Sequence, residues 1–170
     1  MSNARFQFQE NHYYHVYNRW FEKQLLFRSR VDFQRFFDYI FRYIKVYENI
    51  SLISYCFLPN HFHFILQSKE TGLEISEFMR KVQVSYAMYF KRKYETGLNN
   101  RTPVFEWRFK AKLIDTDKYL AHCIAYVNYN PLKHGIVKNI EDYLWTSYHQ
   151  LENKDNIMWY RDMILSELEY

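Results

Sequence analysis

Two histidines separated by one residue, His61 and His63, have the spacing in this chain that most directly suggests chemistry. On a β-strand, residues i and i+2 point to the same face, so the two imidazoles would lie side by side, with Phe62 and Phe64 pointing into a core. Two imidazole nitrogens can bind one divalent metal ion. Because two ligands leave coordination positions open for a substrate oxygen, the pair suggests catalysis rather than stability alone.

The other half of the predicted site lies in the segment before Pro131. Tyr126 and Asn130 are one turn apart on the same face of a predicted helix, and His122 is one turn earlier on that face. A tyrosine can attack a phosphodiester and form a covalent intermediate, and His122 is a candidate to help ionise its phenol. Asn130 offers an amide oxygen as a third ligand. Mg²⁺ or Mn²⁺ accepts such mixed ligands and would polarise a phosphate oxygen.

The elements that must position these residues follow from the spacing of apolar side chains. The predicted order is strand 12–18, helix 29–49, strand 51–57, strand 62–67, a helix from 71 to a break at Gly97, strand 104–114 and helix 118–130, with a last helix near 157–168. This order matches an α+β, ferredoxin-like fold, a four-stranded antiparallel sheet covered by helices on one face. His61 and His63 would then lie on a central strand. We expect one domain over residues 1–170, with its core at about 12–150 and a tail at 151–170.

The charge of the chain, +4 over 170 residues, is compatible with a polyanionic partner such as DNA. Exposed tyrosines could stack on unpaired bases. Two groups of basic residues are predicted to contact phosphates: Arg108, Lys110 and Lys112 on one face of the fourth strand, and Lys91, Arg92 and Lys93 at the end of the second helix. For the second group, a merely solvated helix end would explain the basic residues equally well.

The chain also carries signals about its compartment. No apolar run approaches the roughly 18 residues of a membrane span. The first seven residues contain no apolar segment typical of a secretory signal. Cys56 and Cys123 lie in apolar segments, which favours a reduced pair. We therefore expect a cytoplasmic protein without a membrane partner.

Six stretches of the chain, taken together and in order, point to a known family. The stretches are HVYNR (15–19), CFLPNHFH (56–63), SYAMYFKRKY (85–94), FEWRFK (105–110), YVNYNPLKHG (126–135) and EDYLWTSY (141–148). With them the chain resembles, over about residues 12–150, transposases of the IS200/IS605 type. These enzymes belong to the His-hydrophobic-His (HUH) single-strand nucleases, and within them the chain resembles the REP-associated tyrosine transposase branch.

The resemblance implies a metal-dependent enzyme that cleaves and rejoins single-stranded DNA beside hairpins through a 5′-phosphotyrosine. It implies metal binding by His61 and His63, with Tyr126 as the nucleophile. The third-ligand position, often a glutamine in the family, is Asn130. Since asparagine is shorter, direct ligation and a water bridge are both open. The resemblance also implies association with the bacterial nucleoid, and either a homodimer or a monomer.

Other interpretations of the same residues stay open. A domesticated relative could bind hairpin DNA without cleaving it, and a metal-dependent hydrolase of another class would use water as the nucleophile. A His-x-His pair can also be purely structural. Among 17 tyrosines, spacing alone does not distinguish Tyr126 from Tyr129. Tyr126 is preferred because Asn130 follows it by one helical turn and because it occupies the nucleophile position of the family.

Overall fold

The computed structural model describes residues 7–20, 24–70, 72–94, 102–106 and 108–151. The order of its strands and helices is the predicted one. The last predicted helix, near 157–168, lies outside the described residues, as does Trp107. In chain order the elements are β1 (Tyr13–Arg19), α1 (Arg30–Ile44), β2 (Ile50–Leu58), β3 (His61–Ser68), α2 (Leu73–Tyr94), β4 (Lys110–Ile114) and α3 (Asp117–Lys133), followed by short 3₁₀ turns at Ile140–Asp142 and Ser147–Gln150.

The four strands form one antiparallel sheet in the order β2-β3-β1-β4. The predicted α+β class is confirmed, and so is the position of His61 and His63 on an inner strand. Leu58 pairs with His61 across the β2–β3 hairpin, so Pro59 and Asn60 form a two-residue turn. β3 therefore begins at His61, directly after the turn, and the backbone there pairs with both β2 and β1.

Helices cover both faces of the sheet, whereas the sequence predicted helices on one face only. α1 and α2 pack on the face that carries Phe62 and Phe64, and α3 packs on the opposite face, beside Ile65 and Ile114. The reason lies in β3, whose residues from 62 to 66 are all buried. A strand with apolar side chains on both sides needs a layer on each face.

α3 continues to Lys133, although the sequence predicted that Pro131 would end it. A proline near the end of a helix removes one N–H donor, but the helix can continue for a few residues after it. The helix ends instead in a Schellman motif, in which Gly135 and the next residue donate N–H groups to the carbonyls of Leu132 and Pro131, both at 2.9 Å. Gly135 has φ of 62°, a left-handed conformation that suits glycine.

β4 begins at Lys110, later than the predicted start at residue 104. Tyr17 forms the last ladder pair with Lys110, and beyond it the Glu106 N–H donates to the Arg19 carbonyl at 2.9 Å. Between these contacts β1 advances two residues, from 17 to 19, while the other segment spans four, from 106 to 110. The register of β1 against this segment therefore differs from that of the β1–β4 ladder. The alternation of side chains in the sequence continues through this segment and does not reveal the change of register.

The two cysteines are buried and not bridged, as predicted. Burial raises the pKa of both the Cys56 and the Cys123 thiols, so they stay protonated at neutral pH. Within the described ranges, no helix has both the length and the apolar character needed to cross a bilayer.

Asp32 ties the start of α1 to the end of α2. It forms a capping box with Ser29 at the start of α1, and its carboxylate is fully buried. Burial alone would raise the pKa of Asp32, but hydrogen bonds from Lys93, from two tyrosines and from Ser29 outweigh it and hold the pKa below its ordinary value. The donors are the backbone N–H groups of Arg28 (2.9 Å) and Ser29 (2.8 Å), the hydroxyls of Tyr89 (2.8 Å) and Tyr94 (2.7 Å), and Lys93 Nζ (2.7 Å).

We expect Asp32→Asn to lower the free energy of unfolding by about 2–4 kcal/mol near neutral pH, because an amide cannot satisfy the same donors. Since the folded-state pKa is lowered, this stabilisation is present above the unfolded pKa of about 4 and is lost as the pH falls through the folded pKa. Urea unfolding should therefore show a gap between wild type and variant that shrinks below about pH 4. Asp38→Asn, an exposed carboxylate on the same helix, is the control. Equal effects of the two substitutions would contradict this role for Asp32.

Candidate active site

β3 presents His61 and His63 on the sheet face that α3 covers. Their ring centroids are 5.0 Å apart, with the planes at 83°. His63 is only 6% exposed and His61 is half-buried. Phe62 and Phe64 point to the other face and are fully buried. The side-by-side arrangement that the spacing predicts is therefore the one in the structure.

Burial keeps both imidazoles neutral at neutral pH. Desolvation, together with the charges of His134 and Arg19, lowers the pKa of His61 to about 4. Desolvation is also the main reason that the pKa of His63 lies well below its ordinary value, with smaller contributions from neighbouring histidines. A neutral imidazole keeps a lone pair on one nitrogen, which metal coordination requires.

In both histidines the Nδ1 atom already has a neighbour. Nδ1 of His61 lies 2.6 Å from Oδ1 of Asn60, which can only accept, so Nδ1 carries the proton and Nε2 keeps the lone pair. Nδ1 of His63 lies 2.9 Å from Nε2 of His15. Within the described residues, Nε2 of His63 is buried without a hydrogen-bond partner. The atom available for a ligand is therefore Nε2 in each case.

α3 brings Tyr126 to this pair. Its ring centroid lies 5.8 Å from that of His63 at an interplanar angle of 87°, and 5.8 Å from that of His15 at 73°. Near the end of the helix, the His134 ring lies 5.2 Å from the ring of His61. The last turns of α3 therefore run along the histidine pair.

Asn128 fixes how α3 sits on the sheet. Its Nδ2 donates to Ser54 Oγ on β2 at 2.9 Å. Its Oδ1 accepts from the hydroxyls of Thr146 at 2.8 Å and Ser147 at 2.9 Å. All four side chains are buried, so these hydrogen bonds are shielded from water and hold the helix to β2 and to the C-terminal segment. The rotation that places Tyr126 beside β3 is set by this contact.

In the Asn130 side chain, the amide nitrogen has a hydrogen-bond partner and the amide oxygen has none among the described residues. Nδ2 donates to the Tyr126 carbonyl at 2.8 Å, whereas Oδ1 is buried and has no hydrogen-bond partner in the described part of the chain. An unsatisfied buried acceptor costs about 1–3 kcal/mol, which a metal ion or a water molecule would offset. Asn130 lies on the helix between Tyr126 and His134, and each of those rings contacts a site histidine.

The residues present fit a divalent metal ion. His63 Nε2 and Asn130 Oδ1 are buried acceptors without partners among the described residues, and His61 has its Nε2 lone pair free of the Asn60 bond. In the same ranges no group of three His, Cys, Asp or Glu side chains is placed to hold a metal. A third protein ligand would therefore be the amide of Asn130 rather than an acidic or thiol group.

The basic residues predicted to bind DNA are divided between the two faces. Lys110 and Lys112 are exposed on the histidine face, with Lys112 Nζ 5.1 Å from the Tyr119 ring centroid. Arg108 precedes the strand and borders a cavity of about 1160 Å³ beside α2. Residues 91–93 are on α2, across the sheet, where Lys93 is paired with Asp32. The structure thus brings only Lys110 and Lys112 to the face of the histidines.

His122 lies one turn before Tyr126, as predicted, and its ring stacks on Tyr119 with the centroids 6.2 Å apart. It borders a shallow hollow that Thr116 and Lys118 complete. Its part in ionising the phenol stays a prediction.

Three neighbours of the site histidines, His15, Asn60 and His134, were not predicted from the sequence to lie in the site. Asn60 could have been found, because it directly precedes His61 at the hairpin turn. His15 depends on the register of β1 against β3, and His134 depends on where α3 crosses the sheet. Neither can be deduced from local spacing.

This chain is similar to known transposases in sequence, and its fold is similar to a solved transposase structure. Residues 8–130 match the family model described as transposase IS200 like. A Haemophilus influenzae (strain Rd) protein, provisionally named a REP-associated tyrosine transposase, is 26% identical over 124 residues, covering 66% of this chain and 70% of its own. The REP-associated tyrosine transposase of Escherichia coli K12 is 28% identical over 93 residues, 55% of this chain and about half (51%) of that protein. The solved structure of a REP-associated tyrosine transposase bound to a REP hairpin has a TM-score of 0.68 at 20% identity, covering 88% of this chain and 84% of the other.

Proposed function

This chain belongs to the IS200-like transposase family, and from that premise we propose that it cleaves and rejoins single-stranded DNA beside hairpins. The position of Tyr126 carries the proposal, because its ring lies 5.8 Å from His63 on the helix that also holds Asn130. Hairpin DNA as the substrate class is supported by the REP-associated relatives and by the related structure solved with a REP hairpin.

In the proposed mechanism, His61 and His63 would hold Mg²⁺ or Mn²⁺ together with Asn130, which would bind directly or through a water molecule, and the ion would polarise a DNA phosphate. The phenolic oxygen of Tyr126 attacks the phosphorus and loses its proton to solvent or to a nearby base. As the new O–P bond forms, the bond from phosphorus to the 3′ oxygen breaks, and that oxygen takes up a proton. The products are a 5′-phosphotyrosine and a free 3′-hydroxyl. Since the phosphoester is retained, a 3′-hydroxyl can lose its proton and attack the phosphorus. The bond from phosphorus to the Tyr126 oxygen then breaks, the phenol takes up a proton, and the strands are rejoined without ATP.

Lys133 adds positive charge beside the nucleophile. Its Nζ lies 5.0 Å from the centroid of the Tyr126 ring. A cation at this position would attract the phosphate and stabilise the negative charge that spreads over its oxygens during transfer. Lys133 is the last residue of α3, in the part of the helix that continues past Pro131.

The test uses labelled hairpin oligonucleotides with single-stranded flanks, taken from the DNA that surrounds the gene, with Mg²⁺ or Mn²⁺. We expect an adduct that survives denaturing electrophoresis and a nick that leaves a free 3′-hydroxyl, neither of which forms with EDTA. An unstructured oligonucleotide of the same composition is the control. No adduct and no nick with either metal on any of these hairpins would contradict the proposal. Hairpin binding that is unaffected by EDTA, without cleavage, would favour a domesticated binding protein.

Lys110→Gln and Lys112→Gln should each weaken hairpin binding, because both side chains are exposed on the proposed DNA face. Each substitution should reduce the slope of log Kd against log salt by about 1 if it removes one phosphate contact. Fluorescence anisotropy in EDTA over a range of salt concentrations measures this slope. Lys45→Gln, at the exposed C-terminal end of α1 across the sheet, is the matched control. A loss that is equal for Lys45→Gln would show that DNA does not bind on the histidine face.

A further inference from the structure

We propose that His15 positions His63 for metal binding, by accepting the Nδ1 proton of His63 and so keeping the lone pair of that imidazole on Nε2. This role rests on the metal function proposed above. The hydrogen bond itself, however, is a property of the metal-free protein and can be measured there.

The register of the sheet brings the two rings together. His15 on β1 pairs with Ile65, and His63 on β3 pairs with Tyr17, so the two histidines are diagonal neighbours on one face. His15 Nε2 lies 2.9 Å from His63 Nδ1, and the ring centroids are 5.0 Å apart with an interplanar angle of 25°. β1 and β3 are the two inner strands of the sheet, so the backbone on both sides of this contact is held by ladder hydrogen bonds.

The second nitrogen of His63 decides the direction of this hydrogen bond. If His63 accepted at Nδ1, its proton would sit on Nε2, which is buried and has no partner among the described residues. A buried N–H without an acceptor costs about 1–3 kcal/mol and is rarer in proteins than an unpaired acceptor. If His63 donates from Nδ1, Nε2 carries only a lone pair. That lone pair is what a metal ion would use.

The two site histidines are then held in the same way. Asn60 Oδ1 accepts from Nδ1 of His61, and His15 Nε2 accepts from Nδ1 of His63. Neighbours that hold the second nitrogen of a ligand imidazole fix its tautomer and its ring orientation, and their loss typically lowers metal affinity by about 10–100-fold. The His15 ring also lies edge-on to the Tyr126 ring, with the centroids 5.8 Å apart. His15 therefore borders both His63, the proposed metal ligand, and Tyr126, the proposed nucleophile.

The tautomer of His63 in the metal-free protein is the direct test, read from two-bond ¹H–¹⁵N correlation spectra. We expect the Nδ1–H form in the wild type. His15→Phe keeps a ring but removes the acceptor, so it should release His63 into a mixture of tautomers and lower Mn²⁺ affinity by about 10–100-fold by calorimetry. His15→Gln offers an amide oxygen in place of Nε2 and should restore the tautomer and most of the affinity. His12→Gln, a half-buried histidine just before β1 whose Nδ1 lies 2.6 Å from the Glu10 carbonyl, is the matched control and should change neither.

The outcomes separate this role from the metal function. An Nε2–H tautomer in the wild type would overturn the proposal without any variant having to fold. Mn²⁺ binding that is unaffected by His15→Phe would overturn the role of His15 alone. Absence of Mn²⁺ and Mg²⁺ binding in the wild type would overturn the metal function and, with it, this role.

Discussion

Tyr126→Phe should abolish the covalent protein–DNA adduct while leaving hairpin affinity within about twofold. Removing a nucleophile typically costs on the order of 10⁴-fold or more in rate. The phenylalanine ring retains the edge-on packing against His63 and His15, so only the attacking oxygen is lost. Adduct yield on denaturing gels measures the first effect, and anisotropy in EDTA measures the second.

Tyr129→Phe is the matched control for this substitution. Tyr129 is three residues further along α3, almost fully buried, and its ring packs against Tyr148 at 6.0 Å. It should keep adduct formation. If Tyr126→Phe still turned over DNA while Tyr129→Phe did not, the nucleophile would have been assigned to the wrong tyrosine. If both variants cleaved without an adduct, water would be the nucleophile, and the protein would be a hydrolase of another class.

His63→Ala should remove metal-dependent cleavage and lower Mn²⁺ affinity by at least about 100-fold, since it deletes a proposed ligand rather than a neighbour of one. The buried position of His63 makes a loss of folding stability possible, so the thermal midpoint is measured beside the calorimetry. His149→Gln, an exposed histidine whose Nε2 is 3.1 Å from the Tyr143 carbonyl, is the control. Unchanged Mn²⁺ affinity in a folded His63→Ala protein would mean that the metal binds elsewhere.

The parts of the site that could be predicted from the sequence are those contained within one element. The spacing of His61 and His63 places both on one face of a strand whatever the strand pairs with. In the same way, the spacing of Tyr126 and Asn130 places them one turn apart whatever the helix packs on. The choice of Tyr126 over Tyr129 rests on its one-turn spacing to Asn130 and on the family resemblance, and the family match confirms the resemblance for the chain as a whole. The role of each residue stays a prediction until it is measured.

The parts that could not be predicted depend on relations between elements. Which face of the sheet α3 covers follows from the burial of both sides of β3, not from the order of elements. The contact of His15 with His63 follows from the pairing of β1 with β3. The separation of Arg108 from Lys110 follows from the start of β4 at Lys110, which the alternation of side chains in the sequence does not reveal. The oligomeric state, a homodimer or a monomer, and the association with the nucleoid also stay predictions.

The most direct measurement of the central claim is the site of DNA attachment in the wild-type adduct. Trypsin releases residues 119–133, a peptide that contains Tyr119, Tyr126 and Tyr129, and fragmentation after nuclease trimming identifies the tyrosine that carries the 5′-phosphonucleotide. We expect the modification on Tyr126 alone and only when Mg²⁺ or Mn²⁺ is present. A nucleotide on Tyr119, on Tyr129 or on a tyrosine outside this peptide would contradict the account, as would nicked DNA without any modified peptide.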